Sequence, residues 1–328
     1  MKLLLAKLNH LGDTLLLTPT LRALRRAHPD ATIDVVVRKG CEAVLEGNPD
    51  VSRIITVPGF GAFAAVARRR YDYAFDLSNS DRAKLLIALS AARVRAINDW
   101  HAELGWRRHL FNRFSHFAWG PEHQVLRDYR AVADVLPLAA PGPLVLDTDV
   151  PLDAPSPPYV VIHPVSRWKF KQWLPQHWAA VADTLSEAVL FSYGPGEEAE
   201  IDEILRHSRK KHRKIDGLTL RQLGGLIRGA RLFLGVDTVA MHIAAAVQTP
   251  AVALFGPSSE WSWRPWQAPH ELVLGDCSCK RTRQFVCDKS RPYPCMQGIG
   301  AGEVLAAARR LLAGQHRAER LADPGIRQ

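Results

Sequence analysis

The sequence contains no apolar run as long as the roughly 18 residues that a membrane-spanning helix requires. Its first apolar stretch, residues 3–6, is too short for a signal peptide and is followed at once by Lys7. We therefore expect a protein that is made and kept in the cytoplasm.

Cysteine is also scarce, with five residues in a chain of 328. Cys41 stands alone, and an odd set of thiols in a reducing compartment is a poor basis for a disulfide framework. The other four lack the paired C-x-x-C spacing that is usual at zinc sites. They favour a loop with incidental thiols and no metal, with zinc or an iron–sulfur cluster as the alternative: Cys277, Cys279, Cys287 and Cys295.

The remaining composition is that of a globular protein. Hydrophobic residues make up 47% of the chain and charged residues 23%, which excludes wholesale disorder. The length predicts about two domains. Lys and Arg number 43 against 33 Asp and Glu, which gives a formal charge of +10. That excess leaves three anionic partners open: nucleic acid, a membrane face or an anionic substrate.

Short apolar runs alternate with helical patterns along the first half of the chain. Gly12 and Asp13 open a helix whose leucines recur at near-helical spacing. This alternation predicts a parallel sheet with helices on both faces. The predicted strands of this half are residues 2–8, 33–38, 53–57 and 73–77.

A stretch rich in Pro, Ala, Gly and Asp at residues 136–158 is typical of an interdomain linker. After it the alternation resumes, with predicted strands at 159–163, 188–193, 231–235 and 251–255 and helices at 176–185, 197–207 and 238–247. We therefore predict two doubly wound, Rossmann-like α/β domains facing each other across a cleft. Their expected bounds are 1–150 and 151–315, followed by a polar tail at 316–328. Ligands of such sheets bind beyond the carboxyl ends of the strands.

The turn after the first predicted strand carries a carboxylate. Gly12 lets the backbone turn sharply, and Asp13 is then placed at the strand end. This residue is either a functional acid or a helix cap. The pattern alone does not choose between the two.

A second candidate segment, VDTVAMH, joins an apolar strand to a helix. Asp237 can cap that helix, and Thr238 offers a hydroxyl and an amide where the helix dipole favours an anion. His242 follows Thr238 by four residues and so lies on the same helix face. This arrangement favours an anion site over a merely packed histidine.

Two further turns follow strands of the second half. HPVSRWKFKQW, residues 163–173, places Ser166, Arg167 and Lys171 over a strand end, as binding of a diphosphate would require. A solvated basic loop is the alternative. Glu197, in YGPGE, can accept hydrogen bonds from a ribose or favour the amino terminus of a helix.

A glycine-rich segment and several basic runs are weaker indications of a ligand site. GFGAFA at residues 59–64 matches a relaxed dinucleotide fingerprint, but it follows the third strand rather than the first, which disfavours nicotinamide binding. The basic runs at residues 68–70, 107–109 and 206–214 are typical of solvated helix faces and could together line a route for a polyanion.

Together these segments resemble the ADP-heptose:lipopolysaccharide heptosyltransferases, glycosyltransferase family nine. The resemblance covers nearly the whole chain. It is carried by KLNHLGDTLLLTPTLRALRRAHPDATID and by LRQLGGLIRGARLFLGVDTVAMHIAAAVQTPAVALFGPSSEWSWRPW, followed by CMQGI. Within the family, the second block is most similar to the heptosyltransferase III branch, which adds a third, side-branch heptose.

The resemblance implies a GT-B fold and an inverting transfer that needs neither metal nor cofactor. The implied donor is ADP-heptose, and the acceptor is the lipopolysaccharide inner core. Asp13 matches the family's catalytic base. Val239 departs from the glycine of the first-heptose enzymes. The remaining matches concern donor binding: Ser166 and Lys171 for phosphate and sugar, Arg167 where a hydroxyl residue is common, Glu197 for the nucleoside, and Asp237, Thr238 and His242 for the donor-binding turn.

The same resemblance implies a peripheral enzyme on the cytoplasmic face of the inner membrane, with a phosphorylated glycolipid rather than nucleic acid as its anionic partner. Two alternatives stay open. One is a family member with another nucleotide sugar or glycan acceptor. The other is a non-enzymatic protein that binds nucleic acid or an anionic surface, as the charge of +10 allows.

Overall fold

The structure, a computed structural model, describes residues 1–98, 104–116, 122–153, 155–276 and 294–322. The chain divides into two compact units, an N-terminal unit of Met1–Asp147 and a C-terminal unit that begins at Thr148. Within these described ranges, each unit contains its own six-stranded parallel sheet with flanking helices. The predicted α/β class with two doubly wound, Rossmann-like halves is confirmed.

In the N-terminal unit the strand order is β3-β2-β1-β4-β5-β6. The strands are β1 (Lys2–Lys7), β2 (Thr32–Arg38), β3 (Arg53–Val57), β4 (Tyr73–Asp76), β5 (Val94–Asn98) and β6 (Arg113–Ser115). The helices are α1 (Leu11–Leu16), α2 (Thr18–Ala27), α3 (Phe60–Ala67), α4 (Asp81–Leu89) and α5 (Gln124–Ala133), with a 3₁₀ helix at Gly105–Leu110.

The central strand β1 is buried on both faces, as its continuous apolar run predicts. It pairs in parallel with β2 and with β4, so that Leu4 lies between Asp34 and Ala74. Leu4 also belongs to a core cluster that includes Leu86 of α4. This packing fixes the ends of β1 and β4 side by side.

In the C-terminal unit the strand order is β12-β11-β10-β7-β8-β9. The strands are β7 (Tyr159–His163), β8 (Ala188–Ser192), β9 (Arg213–Ile215), β10 (Leu232–Val236), β11 (Ala251–Phe255) and β12 (His270–Leu274). The helices are α6 (Pro175–Thr184), α7 (Glu198–His207), α8 (Leu220–Gly229), α9 (Val239–Ala246), α10 (Glu260–Trp263), α11 (Pro294–Gln297) and α12 (Ala301–Ala322). Helix α12 includes residues 316–322, which the sequence assigned to a polar tail.

Both sheets have the strand order of a Rossmann fold, in which the direction of winding reverses between two central strands. The reversal lies between β1 and β4 in one unit and between β7 and β10 in the other. Because the connections leave in opposite directions there, a crevice forms beyond the carboxyl ends. Residues that follow these four strands are therefore the candidates for chemistry.

The basic run at residues 206–214 was predicted as a solvated helix face, and this prediction is wrong for most of it. Helix α7 ends at His207, and residues 213–215 form β9. Between them the chain turns around Asp183 of α6, whose carboxylate accepts from Ser208 Oγ at 2.5 Å and from the amide of Arg209 at 2.7 Å. A half-buried acceptor outside the run thus decides its conformation.

Among the described residues, no helix combines the length and apolar character that crossing a bilayer requires. Of the four clustered cysteines, Cys277, Cys279 and Cys287 lie outside the described residues. Cys295 is buried in α11.

Candidate functional site

In the C-terminal unit, one ion pair connects two of the predicted segments. Lys171, in the loop after β7, donates from Nζ to Asp237 Oδ2 at 2.6 Å, and Asp237 directly follows β10. Asp237 is buried and Lys171 half-buried. The pair lies at the winding reversal, where a ligand crevice is expected. Since the ammonium offsets the carboxylate, an anionic ligand would not meet an uncompensated negative charge.

The helix cap at this turn differs from the prediction. Asp237 was expected to cap α9, but its carboxylate is engaged by Lys171, and Thr238 is the N-cap residue. Thr238 Oγ1 is buried, makes no cap bond and has no hydrogen-bond partner among the described residues. A hydroxyl and the amides of the first turn therefore lie together at a helix amino terminus, an arrangement that suits an anion.

His242 lies one turn further along α9, and its imidazole is buried. Its backbone amide donates to the carbonyl of Thr238 at 3.5 Å. The structure thus places Thr238 and His242 in one turn, as their spacing predicted.

Ser166 is buried within the loop after β7. Its Oγ accepts from the amide of Trp168 at 3.2 Å, and its carbonyl accepts from Gln172 Nε2 at 2.8 Å. These bonds shape the turn that presents Lys171. Because the Ser166 hydroxyl acts as an acceptor here, its proton remains available for a ligand. Arg167 is exposed, with its guanidinium 5.0 Å from the centre of the Trp168 ring.

Glu197 is the N-cap residue of α7, after β8. Its Oε2 accepts from the amide of Gly194 at 2.8 Å, so its contact lies within its own turn. The loop after β7 reaches the same helix through an ion pair between Lys169 and Glu200. The structure therefore links the three predicted segments of this unit. Lys171 joins the loop after β7 to the turn after β10, and Lys169 joins the same loop to the helix after β8.

His163 is the last residue of β7, and the sequence pattern gave it no role beyond the start of a basic segment. It is buried, and its Nδ1 lies 3.1 Å from Ser192 Oγ at the end of β8. Burial lowers the pKa of His163 to about 4, so the imidazole is neutral at neutral pH. A histidine that ends an otherwise apolar strand is the signal that could have identified it.

In the N-terminal unit, Asp13 is the third residue of α1, directly after the turn that follows β1. Its Oδ2 accepts from the amide of His10 at 3.1 Å. The capping alternative is therefore observed. It does not exclude a second role, because an ionised carboxylate has about four acceptor positions and this bond uses one.

A buried ion pair that was not predicted from the sequence lies at the same sheet edge. Lys7, the last residue of β1, donates from Nζ to both carboxylate oxygens of Asp128 at 2.8 Å. Both side chains are almost wholly buried. Burial raises the pKa of Asp128, the Lys7 ammonium lowers it, and the negative charge of Asp13 raises it again. Asp13 is thus electrostatically coupled to this pair. A single lysine that ends an apolar strand was the available signal.

Asp76, the last residue of β4, lies across the winding reversal from β1. Its Oδ1 accepts from the amides of Ser78 and Asn79, each at 2.9 Å. Its Oδ2 is buried without a hydrogen-bond partner among the described residues. Burial raises the pKa of Asp76 to about 6, against the opposing charges of Lys84 and Lys7.

The metal-ligating residue types form no compatible cluster of three or more within the described ranges. The alternative of zinc or an iron–sulfur cluster rested on cysteines of which three lie outside those ranges.

A family model and a curated relative both match this chain over most of its length. A family model for glycosyltransferase family 9 (heptosyltransferase) matches residues 62–291. Lipopolysaccharide heptosyltransferase 3 of Escherichia coli (strain K12) is 30% identical over 339 aligned residues, covering 92% of this chain and 95% of that protein.

Two solved structures share the fold. A family 9 glycosyltransferase from Veillonella parvula DSM 2008 superposes with a TM-score of 0.79 at 20% identity, covering 95% of this chain and 97% of that one. The E. coli heptosyltransferase WaaC with ADP superposes with a TM-score of 0.75 at 19% identity, covering 95% and 100%. The likeness confirms the GT-B type of fold. With the match of the family model and the E. coli relative, it shows that this chain belongs to glycosyltransferase family 9, the heptosyltransferases.

Proposed function

We propose that the protein transfers a heptose from ADP-heptose to a hydroxyl of the lipopolysaccharide inner core, with inversion at the anomeric carbon and without a metal ion. The observation that carries the proposal is the Lys171–Asp237 pair beside the Thr238 hydroxyl at the start of α9, which has no hydrogen-bond partner in the described part of the chain. Two relatives support it: one is named lipopolysaccharide heptosyltransferase 3, and the other was solved with ADP.

Donor binding is assigned to the C-terminal unit. The departing nucleoside diphosphate gains negative charge as the glycosidic bond breaks. Without a metal, cationic and hydrogen-bonding groups must stabilise that charge. The amides of the first turn of α9, the Thr238 hydroxyl, the Ser166 hydroxyl and the Lys171 ammonium supply such groups. Further donor contacts are assigned to Arg167, Glu197, Asp237 and His242.

Proton transfer is assigned to Asp13 in the N-terminal unit. A sugar hydroxyl is a poor nucleophile at neutral pH, so a base must take its proton as the new bond forms, which contributes about 10² to 10⁴ in rate. The bond from the His10 amide fixes the orientation of the Asp13 carboxylate. The Lys7–Asp128 pair places a compensated charge nearby, so that Asp13 is not destabilised by a second bare carboxylate.

We further propose that the protein acts at the cytoplasmic face of the inner membrane as a peripheral enzyme. The acceptor in this proposal is an anionic glycolipid of that membrane. The formal charge of +10 supports association with such a surface.

A thermal-shift experiment tests the choice of nucleotide. A ligand that binds only the folded protein raises the melting temperature, by an amount that grows with its affinity. ADP should raise it, and UDP and GDP should not. Equal stabilisation by UDP or GDP would favour a family member with another nucleotide sugar. Steeply salt-dependent binding of DNA or RNA without any effect of ADP would favour the non-enzymatic alternative.

Transfer itself is tested by incubating the protein with ADP-heptose and a panel of truncated lipopolysaccharide acceptors in the presence of EDTA. The expected result is a mass increase of one heptose on at least one acceptor. The new glycosidic bond should have the anomeric configuration opposite to that of the donor. No mass increase on any acceptor would contradict the proposal, and a requirement for added Mg²⁺ would contradict its metal independence.

A further inference from the structure

Three exposed large hydrophobic side chains of the N-terminal unit lie on two elements, α4 and the 3₁₀ helix at Gly105–Leu110. Leu85 and Leu89 of α4 are 49% and 37% exposed, and Trp106 of the 3₁₀ helix is 70% exposed. Leu85 and Leu89 are one helical turn apart and so share a face of α4, opposite the buried Ile87. Arg82, which is exposed, lies three residues before Leu85 on that face. Isolated exposed leucines are ordinary, but a grouped apolar surface marks an interaction site.

The two elements that carry these side chains are in contact. Arg107, next to Trp106, forms an ion pair with Asp81 at the start of α4, with Nε 3.3 Å from Oδ1. The negative charge of Asp81 is therefore offset by a cation. We call the exposed surface formed by Arg82, Leu85, Leu89, Trp106 and Arg108 the α4 face.

The chain around the α4 face is strongly basic. Residues 77–116 contain seven Lys and Arg against three Asp and Glu. Arg93 and Arg108 of this stretch are exposed, as is Arg82. Apolar side chains flanked by arginines, with tryptophan among them, are typical of surfaces that lie in the interface of an anionic bilayer.

We propose that the α4 face is the surface by which this protein binds an anionic phospholipid bilayer. The inference rests on the proposed function in one respect: the lipid-linked acceptor gives the enzyme a reason to bind a membrane there. Leu85, Leu89 and Trp106 enter the interfacial region, and Arg82 and Arg108 bind lipid phosphates.

The position of α4 supports this surface over other exposed sites. Helix α4 begins directly after β4, at the sheet edge where Asp13 follows β1. A membrane bound at the amino-terminal end of α4, which carries Arg82, would thus lie at the sheet edge that carries the residue assigned as the base. Trp261, by comparison, is 53% exposed in α10 of the C-terminal unit with Arg264 5.5 Å from its ring centre. It matches Trp106 in chemistry but lacks neighbouring exposed leucines on α10, and it serves as a control.

Sedimentation with vesicles tests the proposal, using the full chain and vesicles of phosphatidylglycerol and phosphatidylcholine, or of phosphatidylcholine alone. We expect binding to the anionic vesicles that weakens with salt. Leu85→Ser/Leu89→Ser/Trp106→Ser should weaken it at least tenfold, and Trp261→Ser should not. Arg82→Gln/Arg108→Gln should weaken it by up to about fivefold per arginine and flatten its salt dependence.

Three results would overturn the proposal. The first is unchanged binding by the triple variant, and the second is an equal loss with Trp261→Ser. The third is a dimer that the triple variant dissociates, without vesicle binding by either form, which would make the α4 face an interface between copies.

A separate readout distinguishes failure of this proposal from failure of the proposed function. All surface variants should keep the thermal shift with ADP, which also shows that they are folded, and should transfer heptose normally to a delipidated, water-soluble core oligosaccharide. Vesicle binding by a protein that transfers no heptose would leave the membrane surface intact and contradict only the function.

Discussion

Lys171 and Asp237 lie 66 residues apart in the chain and form a hydrogen-bonded ion pair of 2.6 Å. The contact connects a loop after β7 to the turn that begins α9. The half-buried Lys171 ammonium is accessible to a ligand and also neutralises the charge of the Asp237 carboxylate. Removal of Lys171 leaves the buried Asp237 carboxylate without its cation, so it should lower the stability of the fold as well as weaken donor binding.

The first prediction concerns this lysine. Lys171→Ala should raise the donor KM and lower the thermal shift with ADP, since a hydrogen bond to a charged group contributes about 1.5–3 kcal/mol, or roughly 10- to 150-fold. Steady-state kinetics with varied ADP-heptose provide the measurement. Lys169→Ala is the matched control, because Lys169 is an exposed lysine of the same loop that pairs with Glu200. Unchanged constants in Lys171→Ala, or equal losses in both variants, would remove Lys171 from the donor site.

The second prediction concerns Asp13. Asp13→Asn should lower kcat by about 10² to 10⁴, because the amide cannot accept the proton of the acceptor hydroxyl. Asn retains an oxygen that can accept from the His10 amide, so the helix cap should survive. The melting temperature and the ADP-induced shift should therefore equal those of the wild type. Turnover close to normal would mean that another group is the base.

The third prediction concerns pH and Asp76. Its pKa is raised to about 6 in the folded protein, so between pH 8 and pH 5 the folded state binds more protons than the unfolded state. The wild type accordingly gains stability from this residue as the pH falls. Asp76→Asn removes that dependence, and the stability of the variant relative to the wild type should be greatest at pH 8.

Urea unfolding of both proteins at the two pH values provides the measurement. The advantage of Asp76→Asn should shrink by about 1.4 kcal/mol between pH 8 and pH 5. The buried His163, whose lowered pKa acts in the opposite direction, is present in both proteins and cancels in the comparison. A difference that does not change with pH would show that Asp76 does not titrate in this range.

The fourth prediction concerns the buried pair of Lys7 and Asp128. Lys7→Met leaves a carboxylate buried without its cation, which typically costs about 3–5 kcal/mol. Lys7→Met/Asp128→Leu removes both charges and should cost less than the single substitution. Unfolding free energies of the two single variants and the double variant form the test. Additive losses would show that the two side chains do not interact energetically.

The sequence predicts most of the central strands because they are long and continuously apolar. Strands β1, β7 and β11 are found within one residue of their expected ends. The short strands β6 and β9 were not predicted. Each has only three residues, including Arg113 in one and Arg213 in the other, which is too short for any periodicity and too polar for a buried run.

The sequence predicted where the single residues of the candidate site lie, but not which of them contact each other. Ser166, Thr238 and Glu197 are found in strand-to-helix turns and Asp13 in the first turn of the helix after β1, as their local patterns indicated. The Lys7–Asp128 pair joins residues 121 positions apart, and no local pattern carries that information. Asp237 was wrongly expected to cap α9 because its preferred partner, Lys171, lies in a different loop.

Because each parallel sheet has its own core, we expect the two units to unfold in separate steps. Strands β1, β7 and β10 are central in their sheets, and their residues are buried except at the first position of β1. Their amides can exchange with deuterium only when a whole unit unfolds, whereas turn amides exchange through small local fluctuations. Native-state hydrogen exchange should accordingly show two separate plateaus of protection. The slowest amides of the two units would then report two independent opening free energies within one chain.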